Sequence, residues 1–134
     1  MKKLKGILAL GLALGIIASV GGGSVFAIRN SFGRVNGYGT NGYSYCYTSH
    51  GYSKTNYYGK SCYVSVNSIY GYVNKKTLST GTKTGSSGGN NRTYEQVDIY
   101  APSNCRSAYI SSTHVVTSGG QSWVGSTDDT YFTV

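Results

Sequence analysis

The fold class follows from one alternating segment, SCYVSVNSIYGYV, at residues 61–73. Its valines and tyrosines recur mainly at every second position, and the polar Ser65 and Asn67 indicate that the other positions face solvent. This two-residue period is typical of a β-strand with one buried face. The shared face is predicted to carry Cys62, Val64, Val66, Ser68, Tyr70 and Tyr72.

Similar alternation lies on both sides of this strand. Further strands are predicted at residues 43–48, 94–100, 105–118 and 130–134, and no apolar spacing of three and four residues indicates a helix. Turn-forming pairs separate the strands: Asn36-Gly37, Asn41-Gly42 and Gly119-Gly120. Five to seven short strands predict an all-β fold, either a small antiparallel β-sandwich or a partly open barrel.

The first 27 residues have the composition of a secretory signal peptide. Three lysines precede an apolar run at residues 7–20, and Val25 and Ala27 are the small residues that a signal peptidase requires. The apolar run is shorter than the roughly 20 residues of a membrane-spanning helix. We expect cleavage after Ala27 and a secreted, extracellular domain at residues 28–134 without a transmembrane span. An uncleaved anchor is the alternative.

The composition after residue 27 predicts a folded domain with a thin hydrophobic core. The formal charge falls from +8 to +5 because three lysines leave with the signal peptide. Leu, Ile, Val and Phe are scarce in this part, whereas all 14 tyrosines and Trp123 lie in it. One aromatic side chain can bury about 150–250 Å², so we expect tyrosine to form much of the core.

Three cysteines in an exported chain predict one disulfide and one leftover thiol. Cys46 and Cys62 flank a loop expected at residues 49–59, and they would lie at bridging distance if their strands paired. We therefore expect a Cys46–Cys62 bridge. Cys105 falls on the face opposite Ile110, which favours it as the unpaired residue. The alternative is three buried free thiols.

The acidic residues and histidines do not predict catalysis. Glu95 and Asp98 point to opposite faces of a strand, as do the neighbours Asp128 and Asp129, whereas a paired-carboxylate mechanism needs both acids in one cleft. No cysteine and histidine have a recognised nucleophile or metal-site spacing. We expect no enzymatic activity, no catalytic residue, no metal and no cofactor. His114 is expected to be a hydrogen-bonded structural residue.

Two groups of residues are candidates for binding. The first is an aromatic face made of Tyr43, Tyr45, Tyr47, Tyr52, Tyr57 and Tyr58. Exposed tyrosines suit stacking on sugar rings or partner proteins, and the alternative is that these tyrosines are core residues. The second is a basic loop made of Lys75, Lys76, Lys83 and Arg92, within a mobile Gly/Ser/Thr/Lys-rich segment at residues 74–93. The alternative for this segment is a pair of weak edge strands with a flexible tip at residues 85–91.

Export limits the partners that these candidates would meet. Basic and aromatic residues together could bind nucleic acid, but a secreted protein meets wall polymers and membrane surfaces instead. The expected partner is a cell-wall polymer, a lipid-linked wall precursor or a surface glycan, and the expected function is non-enzymatic binding. Alternatively, the lysines only keep a tyrosine-rich surface soluble.

The signal peptide, the length and the Gly/Tyr/Ser-rich strands resemble small secreted β-proteins of Gram-positive bacteria. In particular, HGYSKT at residues 50–55 resembles the His-Gly-Ser-Lys-Thr run of lactococcin-972-like bacteriocins, with Tyr52 inserted. The similar region covers residues 43–66. The resemblance implies a β-sandwich, without catalytic residues, that acts on a cell-wall precursor of other bacteria. A secreted bacteriocin-like antimicrobial is therefore the alternative function.

Overall fold

The computed structural model describes residues 28–131, so the predicted signal peptide and residues 132–134 of the predicted terminal strand lie outside the described residues. Eight strands follow one another: β1 (Asn30–Val35), β2 (Tyr38–Cys46), β3 (His50–Tyr57), β4 (Cys62–Asn74), β5 (Thr80–Arg92), β6 (Tyr94–Tyr100), β7 (Cys105–Ser118) and β8 (Gln121–Thr130). Sheet A has the order β1-β2-β3-β6 and sheet B the order β5-β4-β7-β8, and all pairs are antiparallel. The predicted all-β, antiparallel fold is confirmed. Within residues 28–131, no helix is long and apolar enough to cross a membrane.

Inward side chains of the two sheets meet in two separate apolar clusters. One cluster consists of Val35, Tyr57, Val64 and Val116, and the other consists of Cys46, Tyr70, Ile99 and Ile110. Along β7, Ser112 and His114 lie between Ile110 of one cluster and Val116 of the other. The centre of the interior is therefore polar.

Small hydroxyl side chains fill this polar centre. The buried hydroxyls there are Ser44, Ser53, Thr55, Ser68, Ser112 and Thr127. They bond to one another or to His114, which satisfies the polar groups that burial removes from water. The expectation that tyrosine forms much of the core is wrong, because Tyr57 and Tyr70 alone are buried among the tyrosines at residues 28–131.

Two segments predicted as loops form strands instead. The predicted loop at residues 49–59 contains β3, whose inward positions Gly51, Ser53, Thr55 and Tyr57 are buried. The segment at residues 74–93, predicted as a mobile loop or as a pair of weak edge strands, contains one long edge strand, β5, which pairs with β4 in sheet B. Only a short connection at residues 75–79 lies between β4 and β5. Both strands are held by backbone hydrogen bonds and carry mostly small side chains. Because they have few large apolar residues, the spacing of apolar residues does not reveal them.

Two of the predicted turns are confirmed. Asn36-Gly37 and Gly119-Gly120 join β1 to β2 and β7 to β8, and all four residues have positive φ, from 51° to 80°. This combination is the one that type I′ hairpin turns require. Asn41-Gly42 instead lies inside β2, where β3 pairs with it on one side and β1 on the other.

The predicted Cys46–Cys62 bridge does not form, and all three cysteines are free thiols. Cys46 ends β2 in sheet A, whereas Cys62 begins β4 in sheet B. The two side chains also pack against different apolar clusters. The bridge required β2 and β4 to be neighbours, but β3 lies between them in the chain and takes the position beside β2.

Candidate functional site

The outer face of sheet A carries a continuous row of aromatic side chains. In β2, Ser44 and Cys46 point into the fold and are buried, so the alternating tyrosines project outwards. The strand register then adds residues from β3 and β6, with Tyr52 opposite Tyr45 and His50 opposite Tyr100. We call this set the aromatic row: Tyr43, Tyr45, Tyr47, His50, Tyr52 and Tyr100.

Four tyrosines form the first part of the aromatic row. The ring of Tyr43 lies 5.8 Å from that of Tyr52 and 5.6 Å from that of Tyr45, and the ring of Tyr45 lies 6.3 Å from that of Tyr47. These centroid distances lie in the favourable range for aromatic pairs. The rings therefore support one another, and the sheet beneath them fixes their spacing.

His50 continues the aromatic row between two tyrosines. Its ring stacks on Tyr47 at 4.9 Å and on Tyr100 at 5.1 Å, with interplanar angles of 24° and 20°. Tyr47 and Tyr100 are 49% and 60% exposed, so both rings present aromatic surface to solvent. Asp98 Oδ1 lies 3.9 Å from His50 Nε2 and adds a carboxylate beside the stack.

Polar side chains flank the aromatic row on the same three strands. They are Asn41 in β2, Lys54 and Asn56 in β3, and Gln96 and Asp98 in β6. The Lys54 ammonium lies 4.6 Å from the centre of the Tyr94 ring, in a cation–π contact. Asn56 Nδ2 donates to Asn41 Oδ1 at 3.1 Å. The face therefore combines apolar rings with amide, carboxylate and ammonium groups, a pairing suited to a hydroxyl-rich ligand.

The tyrosine hydroxyls add neutral hydrogen-bonding groups to the face. The hydroxyl oxygens of Tyr43 and Tyr52 lie 3.5 Å apart, and the Tyr52 oxygen lies at the same distance from Gln96 Oε1. Burial raises the pKa of the Tyr52 hydroxyl, and the neighbouring Tyr43 raises it further. Tyr52 therefore stays protonated at neutral pH and offers a donor without charge.

The structure brings five of the six predicted tyrosines to this face. Tyr43, Tyr45, Tyr47 and Tyr52 lie in the aromatic row, and the exposed Tyr58 lies at its end with its hydroxyl 3.4 Å from Asn41 Oδ1. The prediction is wrong for Tyr57, which is buried and donates a hydrogen bond to the carbonyl of Val35 at 3.1 Å. Tyr57 occupies an inward position of β3, in phase with Thr55.

Sequence reasoning missed His50, Tyr94 and Tyr100 as members of this face. Tyr94 and Tyr100 were detectable, because they alternate with Val97 and Ile99, which are buried in β6. His50 can be assigned to this face only from the strand register, which places it opposite Tyr100.

The predicted basic loop is not one patch. Lys75 and Lys76 lie in the connection after β4, whereas Lys83 and Arg92 lie within β5, about 30 Å apart at the usual strand rise. The Lys83 ammonium donates to the carbonyl of Tyr100 at 2.8 Å, and Arg92 Nε lies 3.2 Å from Glu95 Oε1. These four cations therefore cannot hold one anionic group together.

Across residues 28–131, no three His, Cys, Asp or Glu side chains are grouped so that they could hold a metal ion. Comparison of the chain with protein-family models, curated proteins and solved structures gave no match.

Proposed function

We propose that this protein is a secreted, non-enzymatic β-sandwich that binds a glycan of a cell wall or cell surface on the outer face of sheet A. The observation that carries this proposal is the continuous aromatic row across β2, β3 and β6. Sugar rings stack their apolar C–H faces on aromatic rings. Their hydroxyls can bond to the amides and carboxylate that flank the row.

The charge of the face favours a neutral or weakly charged glycan strand. Lys54 and Asp98 lie on this face with opposite charges, and Arg34 of β1, opposite Gly39, adds one further cation to it. From Tyr43 in β2 to Tyr47, the residue that follows β2, the row extends about 13 Å, and it continues across two further strands. Its dimensions suit an oligosaccharide segment better than a single sugar.

The test is co-sedimentation of the purified protein with isolated Gram-positive cell walls at low and high salt. The proposal predicts that the protein sediments with the walls and stays bound at high salt, because ring stacking is screened far less than attraction between charges. Release by moderate salt would indicate an anionic wall polymer held by lysines. No sedimentation under either condition would contradict the proposal.

A secreted bacteriocin-like antimicrobial is the second candidate, supported by the segment at residues 50–55. Within it, His50, Tyr52 and Lys54 project from the candidate face, whereas Gly51, Ser53 and Thr55 are buried. An antimicrobial could use the same face to bind a lipid-linked wall precursor. Viable counts of the treated cells separate the two functions: killing supports the antimicrobial, and binding without killing supports the binding module.

A further inference from the structure

The beginning of the described chain is held by hydrogen bonds to β8. The backbone N–H of Ile28 donates to Asp128 Oδ1 at 2.8 Å, and the N–H of Asp128 donates to the carbonyl of Ile28 at 2.9 Å. Ile28 is also the residue that would become the first of the mature chain if the signal peptide were cleaved after Ala27.

Next to this contact, Arg29 and Asp129 form an ion pair in which the two charges compensate each other. Arg29 Nε donates to Asp129 Oδ1 at 2.8 Å, and the hydrogen bond and charge of Asp129 raise the pKa of Arg29. Asp129 is 2% exposed, and its second oxygen accepts a hydrogen bond from the N–H of Cys46 at 2.7 Å. Asp129 is thus neutralised by Arg29, while among residues 28–131 the carboxylate of Asp128 forms no ion pair and accepts a hydrogen bond from the uncharged amide of Ile28.

We propose that cleavage of the Ala27–Ile28 peptide bond completes this charge balance. Hydrolysis consumes one water, leaves a carboxylate on Ala27, and gives Ile28 a free amine that takes up a proton at neutral pH. The hydrogen bond to Asp128 then becomes a charge-assisted ammonium–carboxylate pair, which is stronger than the amide–carboxylate contact. Removal of the signal peptide would thereby strengthen the contact between the new N-terminus and Asp128 of β8. This inference rests on the proposed secretion and does not depend on the ligand.

The first step of the test is to export the full chain from a Gram-positive host and to determine the N-terminus of the product by mass spectrometry. We expect Ile28. The product is then compared before and after selective acetylation of its α-amine, which removes the charge but keeps an N–H donor. The same comparison is made for Asp128→Asn, with Asp98→Asn as a matched control at an exposed aspartate of β6.

Acetylation is expected to lower the Tm of the native sequence by about 1–5 °C, the range for one exposed ion pair in a domain of this size. It should change the Tm of Asp128→Asn by much less, and the Asp98→Asn control should respond like the native sequence. An N-terminus other than Ile28, or the same effect of acetylation with and without Asp128, would overturn the proposal. Wall binding is a separate readout, so the proposed glycan function can fail without affecting this result.

Discussion

Thr55 Oγ1 and His114 Nδ1 lie 2.7 Å apart and connect sheet A to sheet B across the polar centre of the fold. The Thr55 hydroxyl donates to the carbonyl of Ser65 at 2.9 Å, so it accepts a hydrogen bond from Nδ1–H. Nε2 then accepts from the Thr127 hydroxyl, 2.6 Å away. His114 is therefore a neutral residue with both ring nitrogens bonded, which confirms the structural histidine predicted from the sequence.

This arrangement predicts that the folded protein becomes less stable as the pH falls. Burial lowers the pKa of His114 to about 3, below the value near 6.5 of an unfolded chain. The contribution of His114 to stability is complete above about pH 6.5 and is lost as the pH falls towards 3, because protons bind the unfolded state more tightly. We expect it to lower the free energy of unfolding by about 2–3 kcal/mol between pH 7 and 4.5.

Urea unfolding at several pH values measures this dependence, and an NMR titration of the imidazole identifies its source. His50→Gln is the matched control, since His50 lies on the surface of sheet A and its loss should leave the pH dependence in place. A His114 resonance that titrates near pH 6.5 in the folded protein would contradict the prediction.

Ser112 is expected to be the most sensitive serine of the interior. Its hydroxyl lies 3.0 Å from that of Ser44, and 2.7 Å from those of Ser53 and Ser68. Ser112→Ala should lower the free energy of unfolding by about 1–3 kcal/mol, because it removes a partner from buried hydroxyls. Ser86→Ala, on the exposed side of β5, should change it little. Equal urea midpoints for the two variants would argue against a tightly bonded polar centre.

Gly42 allows the close packing of β2 on His114. A Cβ at Gly42 would overlap the imidazole ring, which hydrogen bonds to Thr55 and Thr127 hold in place. Gly42→Ala should therefore destabilise the fold by about 1–3 kcal/mol. Gly89→Ala is the control, since its Cβ would meet only the flexible Arg92 side chain, at 3.5 Å. Thermal unfolding of both variants tests the difference, and an unaltered Tm for Gly42→Ala would refute this packing.

The cysteines should differ in reactivity. Burial raises the pKa of Cys46 to about 11, and the thiolate is the reactive form. In the folded protein at pH 8, iodoacetamide should modify the partly exposed Cys62 and Cys105 well before Cys46. Unfolding in urea should make all three reactive. Mass spectrometry of the labelled peptides measures this order, and rapid labelling of Cys46 or a disulfide between any two cysteines would contradict it.

Alternation predicted β4 and β7 because their inward positions include large apolar residues, among them Val64, Val66, Ile110 and Val116. It left the buried side of β2 open between the tyrosines and the serines, and in the structure Ser44 points inwards and Tyr45 outwards. Hydrophobicity alone places tyrosine inside and serine outside. The reversal occurs because hydroxyls of the opposite sheet satisfy the buried serines, and a single sequence does not show those partners.

Strand order was the second feature that the sequence could not provide. The inward residues of β3 are small or hydroxyl-bearing apart from Tyr57, so the strand resembled a loop and Cys46 was expected to lie near Cys62. The candidate face was predicted better, since Tyr43, Tyr45 and Tyr47 share one side of any strand. Its extension through His50 to Tyr100 needed the pairing of β3 with β6.

Tyrosine substitutions in the wall co-sedimentation assay test the proposed binding face. The double variant Tyr45→Ala/Tyr47→Ala interrupts the aromatic row, whereas Tyr63→Ala removes a 39% exposed tyrosine from the opposite sheet. We predict that the double variant binds walls at least about tenfold more weakly, a loss of about 1.4 kcal/mol, while Tyr63→Ala binds like the native protein and both variants remain folded. Equal binding by the double variant and the native protein would contradict the assignment of the ligand site to sheet A.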